Sequence, residues 1–157
     1  MKNVNYDHVE KKYDWESDIE FKYRIGTTKI SKVIGICLKQ INSIPNMKEN
    51  ENILKVVREV IDQLKKEKNS LKRLVVPGAF EKPNNYFLDC FNHYIKACEL
   101  IIEGYVNVED EAKYKTLVFK STREFEAGNS NMNLTNYHLV NIVESKRVKY
   151  NDQSENL

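Results

Sequence analysis

Apolar residues return every three or four positions along most of the chain, the signature of helices with one buried face. The first run begins at Trp15 and passes through Ile19, Tyr23, Gly26, Ile30, Val33, Cys37 and Ile41. Asp14 precedes it as an N-cap, and Glu16, Asp18 and Glu20 suit the positive end of the helix dipole. Asn42, Ser43 and Pro45 stop it. Gly26 and Gly35 lie within the run, where each costs roughly 1 kcal/mol against Ala; such positions can mark a close helix crossing.

The second run is Ile53, Val57, Val60, Leu64, Leu71 and Leu74, widened by Val56, Ile61 and Val75. Glu49 and Glu51 open it, Pro77-Gly78 breaks it, and Pro83 closes the loop that follows. After Asn84-Asn85 a third stripe runs through Phe87, Phe91, Tyr94, Cys98, Ile101 and Tyr105, and Gly104 and Asn107 end it. The fourth starts near Val108 with Glu109, Asp110 and Glu111 in its first turn, then Ala112, Tyr114, Val118, Ser121 and Phe125. Ala127-Gly128-Asn129-Ser130-Asn131 reads as a break, yet the heptad continues through Gly128, Met132, Thr135, Leu139 and Ile142. One long helix, and a helix followed by a shorter one, fit this stretch equally well. No strand-like alternation and no internal repeat of 20–50 residues occurs. The pattern predicts an all-α, up-and-down antiparallel four-helix bundle with room for a fifth short C-terminal helix. It occupies residues 14–146, between a polar N-terminal tail at 1–13 and a polar C-terminal tail at 147–157.

Composition narrows the class. At 157 residues and 18.5 kDa, one domain can bury about two-thirds of its surface. Basic and acidic residues nearly cancel, 25 against 23, which argues against a dedicated nucleic-acid binder. No apolar run approaches the length of a membrane span. The start of the chain carries no apolar signal-peptide core, and three cysteines without a Cys-x-x-Cys pair suit a reducing compartment. The expectation is a cytoplasmic protein; an exported domain whose leader is absent from this chain is the alternative.

Catalytic constellations are hard to write. No Glu stands three residues before His8, His93 or His138, and the cysteines lack zinc spacing, so neither a metal nor a cofactor is expected. The five glycines stand singly, which excludes Gly-rich phosphate loops. Cys98 lies on the third stripe as a small buried hydrophobe, and His93 lies off it. Asp89 and His93, four apart on one helical face, form a candidate polar pair; an exposed i,i+4 contact accounts for the spacing without catalysis.

The most basic stretch ends the second helix. Between Lys55 and Arg73 seven basic residues face three acidic ones. Lys65, Lys66, Lys68, Lys72 and Arg73 form a candidate contact for phosphate or anionic lipid; a solvated helix end whose cations complement the dipole is the simpler account. No aromatic residue interleaves there, so single-stranded nucleic acid has nothing to stack on. Tyrosines number nine; Tyr94 and Tyr105 fall on the third stripe, while Tyr6, Tyr13, Tyr86, Tyr137 and Tyr150 lie at ends and edges where interface residues are common.

The layout over residues 15–127 resembles small helical-bundle domains of unknown function from Gram-positive bacteria, some carried on lipoproteins. The shared features are the long first helix, the break at Pro77, the ring-rich third helix from Tyr86-Phe87 to Tyr94 and the acidic start Glu109-Asp110-Glu111-Ala112. The resemblance implies a bacterial helical bundle and brings no catalytic residues. The expected function is a non-enzymatic helical protein-interaction module of accessory or inhibitor type, with another protein as partner; a homo-oligomer fits as well. Two alternatives are a ligand-binding or enzymatic bundle with a pocket between helices, and an anionic-surface binder using the basic end of helix two.

Overall fold

The computed structural model describes residues 11–47 and 50–154. Tyr6, His8, Glu49 and most of the expected N-terminal tail lie outside the described residues. Four helices follow in order: α1 at Asp18–Asn42, α2 at Asn50–Arg73, α3 at Glu81–Val106 and α4 at Glu111–Ser154. Single 3-10 turns at Ile44–Asn46 and Gly78–Phe80 sit in the first two connections. Consecutive helices run antiparallel and pack pairwise, α1 on α2, α2 on α3 and α3 on α4, as an up-and-down bundle. Among the described residues, no helix is long and apolar enough to cross a membrane.

The core lies between the first three helices. α1 contributes Ile30, Ile34 and Cys37; α2 contributes Val57, Val60, Leu64 and Leu71; α3 contributes Phe87, Phe91, Tyr94 and Cys98. These are the residues the stripes of α2 and α3 predict. Each large apolar side chain fully buried there contributes about 1.5–3 kcal/mol.

α1 departs from its predicted phase at its N-terminal end. Its cap is Ser17, not Asp14: the Ser17 hydroxyl accepts from the Glu20 N–H while the Glu20 carboxylate accepts from the Ser17 N–H, a reciprocal capping box that satisfies two otherwise orphaned donors. The inward positions of the first turns are Glu20, Tyr23 and Thr27, while Ile19 is exposed. This end of α1 faces α4 and an ion pair rather than the apolar core. Of the two glycines, only Gly26 marks a close approach: a Cβ there would come within 2.8 Å of Leu74, whereas Gly35 faces open space. α3 begins at Glu81, so Pro83 belongs to its first turn, where a missing N–H costs nothing.

α4 runs unbroken for 44 residues. No fifth helix exists among the described residues, and 147–154, expected as tail, extend α4 as exposed helix. Gly128 does not end a helix; it makes room for a ring. A Cβ there would lie 2.5 Å from Tyr94, whose hydroxyl donates to Asn129 Oδ1 at 2.6 Å. Small residues define the α3–α4 seam: Ser121, Gly128 and Thr135 are buried, with Leu117 as the one buried large residue of α4. The Ser121 hydroxyl donates to the Ala97 carbonyl at 2.9 Å. At 1.5 Å per residue α4 spans about 66 Å, against about 39 Å for α3, so its distal third runs past the end of its partner.

Candidate functional site

That overhang builds a cleft. Beyond Thr135, α4 meets the start of α1 and the 78–80 turn around a space of about 270 Å³. Trp15, Tyr23, Phe80, Leu139, Val140 and Val143 form its apolar walls. Tyr23 tilts against Phe80 at 5.3 Å between ring centres and donates its hydroxyl to Asn84 Oδ1 at 3.1 Å. Burial pushes the Tyr23 phenol up to about 12, so it stays protonated at neutral pH.

Charge lines the rim. The buried Glu16 carboxylate takes a two-pronged contact from Arg24, 2.5 Å from Nε and 2.9 Å from Nη2. Arg24 also donates to the Lys11 carbonyl at 2.7 Å and lies 4.5 Å over the Tyr13 ring, which stacks on Trp15. The Glu16 partnership raises Arg24 above its ordinary value. Between the same two helices, Lys146 of α4 pairs with Glu20 of α1. Burial alone would raise the Glu20 carboxyl; the Lys146 ammonium and the Ser17 N–H and hydroxyl outweigh it and hold the group below its usual value. The result is an apolar slot with a charged, already paired rim, suited to an apolar side chain or small apolar molecule.

The basic residues of α2 divide. Lys65, Lys68 and Lys72 line a groove of about 380 Å³ between α2 and α3, joined by Lys96 from α3. Lys66 and Arg73 are exposed and stand outside it. Asp89 is exposed and does not engage His93 as expected. His93 Nδ1 sits 2.6 Å from Glu124 Oε2 instead, because α4 packs along that side of α3. The cysteines are buried; burial raises all three thiols, Cys90 and Cys98 to about 12, leaving them poor nucleophiles. Among the described residues, no group of three His, Cys, Asp or Glu is placed to hold a metal ion. Of the edge tyrosines, Tyr86 stacks on His138 and Tyr137 is largely exposed.

The cleft escapes sequence reading because its α1 and α4 walls lie more than a hundred residues apart, with Phe80 between them in the chain. Two signals point toward it: the Ser17-x-x-Glu20 box, which fixes the start of α1, and Leu139 and Ile142, which prolong the α4 stripe. No protein-family profile, curated protein or solved structure matches the chain.

Proposed function

We propose that the protein is a non-enzymatic interaction module whose distal α4 receives a helix of a partner protein. The observation that carries this reading is the outward set Leu134, Tyr137 and Val140, with Val148 further on, all at least 40% exposed from where α4 leaves α3 onward. Val140 also lines the cleft, so these side chains and the slot form one continuous surface. A partner helix laid along them places an apolar anchor in the slot, the usual geometry of helix-in-groove recognition.

A photo-crosslinking side chain at position 140 tests the reading in cells that make the protein. Adducts to one defined protein are expected from position 140 and not from position 66. They should disappear when Leu134→Asp and Tyr137→Asp are added. Absence of adducts at 140, or equal adducts at 66, would refute the reading. Adducts of twice the chain's own mass would identify the partner as a second copy.

A further inference from the structure

The α2–α3 groove is independent of this surface. Lys65, Lys68 and Lys72 stand on one side at helical spacing, Lys96 stands on the other, and Asn69 and Asn92 add amides. Ile95, 9% exposed, shows an edge of the core at the floor, and Glu99 is the single acid in the lining. Lys68 is held in place by a hydrogen bond to Asn92 Oδ1. Among the described residues, none of the four lysines has a carboxylate within ion-pair distance. Like charges at i,i+3 and i,i+4 destabilise a helix. The bundle therefore gathers four cations without an ion-pair partner around one recess. It does so in a chain whose charges otherwise nearly cancel.

We propose that this groove binds an acidic helical segment of a partner protein. Lys65 to Lys72 covers about 10 Å along α2, two helical turns, which is the span of carboxylates at i, i+3 and i+7 on a guest helix. Ile95 meets the apolar positions between them. Lysines act as separate point charges and suit separated carboxylates; the groove lining has no arginine for two-pronged capture of phosphate. Its lining has no aromatic ring either, so single-stranded nucleic acid gains no stacking there. An anionic membrane is the weaker fit: the cations flank a recess, and the lining has no large ring to insert among lipids.

Fluorescence anisotropy with the full chain tests the assignment. The probe is a labelled helical peptide with Glu at i, i+3 and i+7 on an Ala-Leu background. Binding is expected to weaken steeply between about 50 and about 200 mM salt. A peptide with Gln at those positions should not bind. Lys65→Glu with Lys72→Glu should cost about tenfold or more in affinity, and Lys96→Glu alone should also weaken binding severalfold, because charge-assisted contacts are lost. The double variant Lys66→Glu with Arg73→Glu changes net charge equally but lies outside the groove and should bind like wild type. So should Tyr137→Asp, which separates this site from distal α4. Circular dichroism melts verify that each variant is folded. Equal losses in the Lys66/Arg73 variant, or no loss in Lys96→Glu, would overturn the groove. Tighter binding to phosphatidylserine vesicles or to single-stranded DNA than to the peptide would overturn the choice of partner.

Discussion

Two stretches of the bundle use their residues in opposite ways. In the middle of α3, Phe87, Phe91 and Cys98 point large or apolar groups into the core shared with α1 and α2, Tyr94 turns its ring toward α4, and the exposed positions are polar. In α4 most fully buried positions are small, Ser121, Gly128 and Thr135 beside Leu117, with Phe125 and Met132 half-buried against the core, while Phe119, Leu134, Tyr137 and Val140 point out. Bulk fills the first interface; close backbone approach closes the second. A helix whose tightest contacts are made by small residues leaves more of its large side chains for its outer face. That is why exposed apolar side chains collect on the outer face of α4.

The sharpest separation of the two regions comes from matched truncations of phenylalanine. Phe91 is fully buried, and Phe91→Ala should destabilise the fold by about 3–5 kcal/mol. Phe119 is exposed on α4 beneath Arg123, 4.9 Å from its ring centre, and Phe119→Ala should fall within about 0.5 kcal/mol. Urea denaturation followed by circular dichroism measures both. Comparable losses at the two sites would show that α4 carries core weight on its outer face.

The next largest effect tests close approach itself. A Cβ at Gly128 meets Tyr94 ring atoms at 2.5 and 2.6 Å, and that ring is tied to Asn129. Gly128→Val should therefore cost about 1–3 kcal/mol by overpacking. Gly35 has nothing within 4 Å of an added Cβ, so Gly35→Ala should stabilise by about 0.5–1 kcal/mol through helix propensity alone. Opposite signs in thermal melts support the reading that the two glycines answer different needs; destabilisation of both variants would contradict it.

The sequence makes the core helices readable because their buried positions are large and regular: Ile53, Val57, Val60, Leu64 and Leu71 are all buried, as the heptad spacing predicts. α4 is harder to read for a physical reason. Gly128 flanked by Asn129 and Asn131 has the composition of a turn, and only the Tyr94 ring on another helix explains it. The start of α1 misleads in the same way, since Ile19 extends the stripe but the partner at that end is an ammonium group, which selects Glu20. The basic cluster is legible as a cluster. Which three of its five members share a groove with Lys96 depends on how α2 is rotated against α3, and that is fixed by the core beneath them.

The smallest expected effect concerns the junction where the two regions meet. Lys146 and Glu20 tie distal α4 to the start of α1, and Glu20 also closes the capping box. Its folded carboxyl titrates below the ordinary value of 4.5, so the contact stabilises the fold above that pH. The stabilisation disappears as pH falls through the depressed folded value, and nothing should change between neutral pH and about 5. Lys146 is partly exposed, and such pairs contribute under about 1 kcal/mol, so the global melt should barely respond. The local response should be clear, because Trp15, the single tryptophan, lines the cleft between the two helices that this pair joins. Acidification below pH 4 is expected to shift Trp15 emission to the red and to raise amide exchange over 139–150 while α2 stays protected. Lys146→Met should show the shifted emission already at neutral pH and lose the acid step attributable to Glu20. An unchanged emission in Lys146→Met, or exchange rising equally in α2, would mean that distal α4 is held by its apolar contacts alone.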